Sequence, residues 1–220
     1  MEILVESSKY IAIVVVSLLP IMNPLATIPL FMSLTRGMSQ PHKRVQAKKA
    51  CIYAFFILAT FLVLGNVIIA LFGISLPGIR IAGGIIVMIL ALRMIFSGED
   101  SASNVDAAPS QIKRADIDYS FSPLAMPGLS GPGSIAIVMG LGAAIPENNE
   151  IGGYAVVLAG IAITSAISYI ALYSSGFIEK LLGTHGIQAV TKIMGFLLTC
   201  VAVQFLASGI RDFYVEFTKI

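Results

Sequence analysis

Long apolar runs alternate with short polar connections along this chain, and a membrane-crossing helix needs about 20 mostly apolar residues. Six stretches meet that length, at about residues 10–34, 50–72, 77–96, 121–145, 152–177 and 190–210. Residues 99–119, between the third and the fourth, are polar and rich in Asp, Ser and Ala, the composition of a flexible linker. The pattern predicts an all-α polytopic membrane protein: a first three-helix repeat over 1–98, a linker over 99–119 and a second three-helix repeat over 120–220.

Two of the apolar runs carry residues that break helices. One is Leu19 to Pro29, with Asn23-Pro24 at its centre; the other is Met126 to Ser134, with Pro127 and Pro132 among Gly128, Gly131 and Gly133. Proline removes a backbone donor and glycine favours non-helical states. Inside lipid such a break is tolerated only where protein or water satisfies the freed backbone groups. Both breaks fall in the first span of a half. With three spans per half, related halves must be inverted relative to each other. Asn23-Pro24 aligns with Gly131-Pro132 at an offset of 108, and Gly84, Ala91, Ser97 and Gly98 align with Gly195, Ala202, Ser208 and Gly209 at an offset of 111. Paired interrupted spans in corresponding positions point to a transporter binding site at the repeat interface.

Composition agrees with a membrane class. Hydrophobic residues make up 57% of the chain and charged residues 12%, against roughly 25% in soluble domains; mean hydropathy is +0.91. A net charge of +2 without a basic, aromatic-interleaved stripe excludes a nucleic-acid partner. Cys51 and Cys200 lie within apolar runs and read as small buried hydrophobes. The first residues lack a basic leader and a small-residue cleavage pattern, so the first run is expected to be retained as a span. Of the fourteen Lys and Arg, ten fall on the side of the loops that follow spans one, three and five, and four (Lys9, Arg80, Arg211 and Lys219) on the other. The positive-inside rule then places both termini outside the cytoplasm.

The spans contain no carboxylate, and His42 and His185 lie outside them. A metal cluster, a carboxylate dyad and a carboxylate proton relay are therefore excluded as the working chemistry, and no cofactor is expected. Gly128-Leu129-Ser130-Gly131 fits the GxSG pattern of intramembrane serine proteases, which would make Ser130 a nucleophile, but His185 is placed at a membrane surface. A passive pore for small polar solutes is the other alternative. What remains in the spans is neutral and hydrogen-bonding: Asn23, Thr27, Asn66, Ser130 and Ser134, with Thr164, Ser165, Ser168, Thr199 and Gln204 expected to join helices. Two half-helix N-termini offer N–H groups to a carboxylate, and the facing half-helix C-termini offer carbonyls to an ammonium group. A zwitterion matches both. The expected ligand is a small neutral amino acid, with Asn23, Pro24, Thr27, Gly128, Ser130, Gly131, Pro132, Gly133 and Ser134 as the binding residues.

These residues resemble the MarC family over nearly the whole chain. Asn23-Pro24-Leu25-Ala26-Thr27-Ile28-Pro29-Leu30-Phe31 resembles its span-one signature, and Pro123-Leu124-Ala125-Met126-Pro127 through Gly131-Pro132-Gly133 its span-four segment. Arg80-Ile81-Ala82-Gly83-Gly84 and Leu181-Leu182-Gly183, with Met194-Gly195, are also similar to family patterns. The resemblance implies a multi-pass inner-membrane protein of the SnatA type, which carries glycine, alanine and similar amino acids, coupled to sodium or protons. Many relatives carry Asp where this chain has Asn23, which removes the titratable group and makes a sodium ion held by carbonyls and hydroxyls easier to argue than a proton. A bulky-drug exporter fits poorly, because a glycine-walled site lacks a large aromatic lining. The lipid bilayer is a partner in any case, and a homo-oligomer is left open.

Overall fold

A computed structural model describes residues 2–96, 117–146 and 150–218. Most of the expected linker, Lys113, Arg114, Lys219 and the side chain of Asn66 lie outside the described residues. Among the described residues seven α-helices follow one another: α1 (Glu2–Met22), α2 (Pro24–Leu34), α3 (Gln40–Phe72), α4 (Leu76–Phe96), α5 (Pro132–Ala143), α6 (Glu150–Tyr173) and α7 (Ser175–Thr218). A wider, π-type turn, Ser120–Leu129, precedes α5.

Among the described residues four helical stretches are long and apolar enough to cross a membrane: Gln40–Gly65, Leu76–Phe96, Glu150–Tyr173 and Gln188–Thr218. Two more candidates are bent pairs, Ser8–Met22 with Pro24–Leu34 at 43° and Ser120–Leu129 with Pro132–Ala143 at 63°. The bends fall in the two runs where the sequence places them. Element ends differ: α3 begins at Gln40 and the last stretch continues to Thr218, since polar residues extend a helix beyond the apolar core that signals it. Gly73 closes α3 in the left-handed conformation, at φ 60°, with its N–H and that of Ile74 turned back to the carbonyls of Ala70 and Ile69. Within α7, Gly183 has φ 62° and ψ 180°, which separates a short first part from the long apolar remainder.

Burial divides into two cores. The larger joins α1, α2, α3, the π segment, α5 and α6 through side chains such as Leu18, Phe31, Leu58, Leu124, Val138 and Ile161. The smaller is Val87 and Ala91 of α4 against Leu198 and Ala202 of α7. Ile21 packs against both. Large apolar side chains such as Val16, Leu71, Phe96, Ile151 and Phe196 stay exposed, as a lipid-facing surface requires.

Without a hydrophobic drive between helices in lipid, small residues that permit close approach hold them together. A methyl at Gly84 would stand 3.1 Å from the carbonyl oxygen of Ala202, and one at Gly195 would stand 3.0 Å from that of Ala91. At Gly160 it would meet Val14 at 2.4 Å, across the α1–α6 contact. The hydroxyls expected to join helices act differently. Thr164 donates to the Gly160 carbonyl at 2.8 Å, Ser168 to Thr164 at 2.8 Å and Thr199 to Gly195 at 3.0 Å, each within its own helix. Gln204 is exposed, and Ser165 Oγ is the one buried side-chain oxygen without a partner among the described residues. In an apolar medium the nearest acceptor for a hydroxyl is the carbonyl four residues back, so these groups are satisfied locally.

The start of the second half is clamped to α3. Gln46 accepts from the Tyr119 N–H at 3.0 Å and donates to the Ile117 carbonyl at 3.3 Å, while Lys49 meets Asp118 at 2.8 Å. Asp118 also accepts from the backbone and hydroxyl of Ser120. The Lys49 ammonium and the Ser120 hydrogen bonds lower the Asp118 carboxyl to a pKa of about 2.

Two outcomes follow from these contacts. Gly84→Leu and Gly195→Leu should each lower thermal stability in detergent by about 1–3 kcal/mol, the usual cost of overpacking, whereas Gly140→Leu, with nothing within 4 Å of its added Cβ, should be tolerated. A depressed carboxylate pKa stabilises the fold above the ordinary carboxylate range and ceases to do so as pH falls through the folded value. The unfolding midpoint of Asp118→Asn relative to the intact chain should therefore converge between about pH 4 and pH 2, read from thermal scans across that window.

Candidate functional site

Each break is made by a different local device. At the first, α1 runs through Pro20 and α2 through Pro29; the interruption is Asn23, at φ 37° and ψ 64°. Asn is among the few residues that enter the left-handed region at modest cost, because its short amide bonds to nearby backbone. Its Oδ1 accepts from the Ala26 N–H at 3.2 Å and so caps α2, whose first residue, Pro24, has no N–H to satisfy. The Asn23 N–H still reaches the Leu19 carbonyl at 3.0 Å, and its own carbonyl accepts from the Thr27 N–H and hydroxyl, both at 3.2 Å. Pro20 and Pro29 therefore do not break this run: the break falls at Asn23-Pro24, with the asparagine making the turn and Pro24 opening α2.

At the second break, Ser122 and Met126 are extended, each preceding a proline, as the proline ring demands of its neighbour. The Ser130 N–H and hydroxyl both donate to the Ala125 carbonyl at 2.8 Å, and the Ser134 hydroxyl donates to the Leu129 carbonyl at 3.2 Å. Pro132 opens α5 after an extended Gly131. No side chain caps α5, so the first-turn N–H groups of Gly133 and Ser134 lack an intrahelical acceptor.

The two breaks meet. A cavity of about 360 Å³ is lined by Asn23 and Thr27 from one and by Gly128, Gly131, Gly133 and Ser134 from the other, with Val87, Leu90, Arg93 and Met94 of α4 and Thr191 and Leu198 of α7. It lies on the seam between the two cores. Six of the nine expected binding residues line it. Pro24, Ser130 and Pro132 do not: the prolines start the half-helices, and the fully buried Ser130 is turned to Ala125. The expected role of Ser130 as a substrate pole is thus not matched by its placement. His42, the histidine nearer the N-terminus, hydrogen-bonds Ser39 at 2.8 Å, and His185 is exposed.

The glycines carry a second constraint besides ligand access. A methyl at Gly128 would stand 2.9 Å from the Pro123 carbonyl oxygen, one at Gly131 2.8 Å from that of Pro127, and one at Gly133 2.9 Å from Val87. They let the segment fold on itself and let α4 close over α5.

Donors and acceptors in the cavity are unevenly committed. Asn23 Nδ2 donates to Met94 Sδ at 3.3 Å, and a thioether is a weak acceptor that a stronger one would displace. The hydroxyls of Thr27 and Ser134 already donate to backbone carbonyls, which leaves their lone pairs as acceptors. No lining residue is acidic, and Arg93 is the one cation. Sequence reasoning assigns Arg93 to a span end, where a long side chain reaches water. Its position, one helical turn beyond Leu90 on the face of α4 that also carries Val87, is the signal that brings it to the cavity.

The chain belongs to the MarC family: the description "MarC family integral membrane protein" fits residues 8–214. It is 36% identical over 210 residues to inner membrane protein MarC of Salmonella paratyphi A, covering 93% of this chain and 95% of the relative. The same identity and coverage relate it to the protein of that name from Citrobacter koseri. Membrane protein YvbG of Bacillus subtilis is 34% identical over 211 residues, covering 96% and 99%. No solved structure matches significantly. With its apolar helices and inner-membrane relatives, the protein is a multi-pass membrane protein.

Asn23→Ala should lower stability by about 1 kcal/mol or more, through the lost cap and the left-handed backbone, whereas Asn23→Gly should cost only a few tenths. Thermal unfolding of the two variants side by side checks the ordering.

Proposed function

We propose that the protein is a secondary transporter of small neutral amino acids, of the SnatA type, working by alternating access. The observation that carries this is the cavity at which both helix breaks converge without an acidic residue. Its volume lies near the lower end of the roughly 300–1,000 Å³ of small-molecule sites. A ligand carboxylate would take the uncapped N–H groups of Gly133 and Ser134, the Asn23 amide and, toward the surface, Arg93. The ammonium group would take the free lone pairs of Thr27 and Ser134. The three glycines leave little room for a side chain, which favours glycine, alanine and serine.

Two inverted halves are supported by their packing. Nearly all substantial helix contacts run between the halves: α4 with α7, α3 with α6 and α5, α1 with α6. The close approach of Gly84 to Ala202 has its mirror in that of Gly195 to Ala91, and these are equivalent pairs at an offset of 111. The α4–α7 pair has its own small core, so it can shift as a unit against the remainder and open the seam to one side or the other. Arg93, near the exposed end of the cavity, belongs to the basic side. The positive-inside rule then makes this arrangement open to the cytoplasm, with both termini outside. With no acid in the cavity, a coupling sodium would rest on carbonyl and hydroxyl oxygens.

A serine protease would need a base beside Ser130, whose hydroxyl is spent on Ala125. A small organic anion is the one other ligand class that an observation favours, because Arg93 has no acidic companion in the lining.

Proteoliposomes of the full chain should take up labelled glycine saturably, with counterflow and a response to an imposed sodium, proton or electrical gradient. Arg93→Gln should raise KM about tenfold, the loss of one charge-assisted hydrogen bond, and Asn23→Ala should reduce uptake in correctly folded protein, while Ser130→Ala should keep a KM near that of the intact chain. Absent uptake of glycine, alanine and serine would sink the proposal; unsaturable flux would mean a pore, and stronger competition by acetate than by alanine would mean an anion carrier.

A further inference from the structure

At the end of the molecule where α2 turns into α3 and α6 into α7, a separate cavity of about 470 Å³ opens. Three cations line it, Lys43, Arg44 and Lys180, with no acidic residue. The ion pairs among the described residues use Lys49 and Arg80 instead, so this charge is not spent on them. The Arg44 guanidinium is held at the rim, 4.8 Å from the centroid of the Tyr173 ring, which is a cation–π distance.

α7 begins inside this cavity. The N–H groups of Phe177 and Ile178 bond the Ser174 carbonyl at 2.9 Å, leaving those of Ser175 and Gly176 without an intrahelical acceptor. Ser175 lines the cavity, is only 6% exposed, and its hydroxyl has no hydrogen bond among the described residues. That oxygen is open to the cavity and free to donate its proton to a ligand seated there. The floor beneath is apolar, with Phe31 and Leu172 both buried, and a low-dielectric wall strengthens charge interactions above it.

We propose that this cavity binds a phosphate group, held by Lys43, Arg44 and Lys180 over the first turn of α7 and by the Ser175 hydroxyl. Phosphate fits better than carboxylate. Its oxygens are arranged tetrahedrally, three or four terminal ones with up to two negative charges in the free ion and two terminal plus two ester oxygens with one charge in a phosphodiester headgroup, matching separate cations, free N–H groups and a hydroxyl, where a carboxylate has two oxygens in one plane. The phosphate is that of an anionic phospholipid headgroup or of a free phosphate ion, and in either case it bridges the α2–α3 turn to the α6–α7 turn.

The test uses the full chain purified in neutral detergent, with the thermal midpoint read against short-chain phosphatidylglycerol, inorganic phosphate, or chloride at matched ionic strength. A saturable rise with phosphatidylglycerol alone identifies a lipid headgroup, and a rise with inorganic phosphate identifies the free ion as sufficient. No rise beyond that of chloride overturns the proposal. Lys180→Gln, at an exposed residue where folding should be retained, should weaken the apparent Kd about tenfold, and Ser175→Ala should weaken it less. If Lys180→Gln and Lys43→Gln, both folded by circular dichroism, bind like the intact chain, the site is elsewhere and the assignment falls.

Discussion

The structure depends on how it satisfies the backbone groups freed where two apolar helices are broken. In hydrocarbon an unmatched N–H or carbonyl costs several kcal/mol, so a break persists only with partners built in. At Asn23 one residue does most of this: it takes the left-handed turn, caps α2 through Oδ1 and offers its carbonyl to Thr27. At the second break the same work is shared, Ser130 closing on Ala125 and Ser134 on Leu129. Pro24 and Pro132 add no donor that would need a partner. At the second break the first-turn N–H groups of α5 are left without an intrahelical acceptor, on two residues, Gly133 and Ser134, that line the cavity.

The elements around the cavity are packed to match. The α4–α7 pair closes the cavity from one side and meets the rest of the chain mainly through α5 and α2. Its two helices approach so closely at Gly84 and Gly195 that a side chain at either would press on the opposite backbone. The glycines of the second break serve the same end, since Gly133 lets α4 lie against α5 at Val87.

Much of this was legible in the sequence, for physical reasons that differ by feature. Candidate spans follow from apolar length, which lipid enforces, so the four long candidates and the two bent pairs each overlap one of the six expected stretches. The positions of the breaks follow from local chemistry, and Asn23, Thr27 and the three glycines reach the cavity as expected. Less legible was which residue makes the break. Pro20 and Pro29 sit within helices because neighbouring turns tolerate a missing donor, whereas one left-handed Asn bends the chain by 43°. Ser130 could not be placed from its neighbours, since its direction depends on the π-type turn that brings the Ala125 carbonyl to it. Arg93 lay hidden for a related reason: a basic residue at a helix end looks the same in sequence whether it reaches headgroups or a cavity mouth, and only the helix face separates the two.

Hydroxyls in this protein illustrate how an apolar surrounding assigns roles. Thr27, Ser134, Thr164, Ser168 and Thr199 all donate to a carbonyl in the preceding turn or segment. Once the proton is committed, the oxygen can only accept. Where such an oxygen faces packed side chains, it is inert, as at Thr164. Where it faces a cavity, as at Thr27 and Ser134, it presents partial negative charge to a ligand without any ionisable group. A cavity can therefore hold both poles of a zwitterion with helix N–H groups and spent hydroxyls alone. A buried carboxylate would bind the ammonium pole more strongly but would carry its own desolvation cost through every conformation the protein visits. Neutral acceptors avoid that cost, and under the proposed transport they would hold the ammonium pole weakly enough to release it.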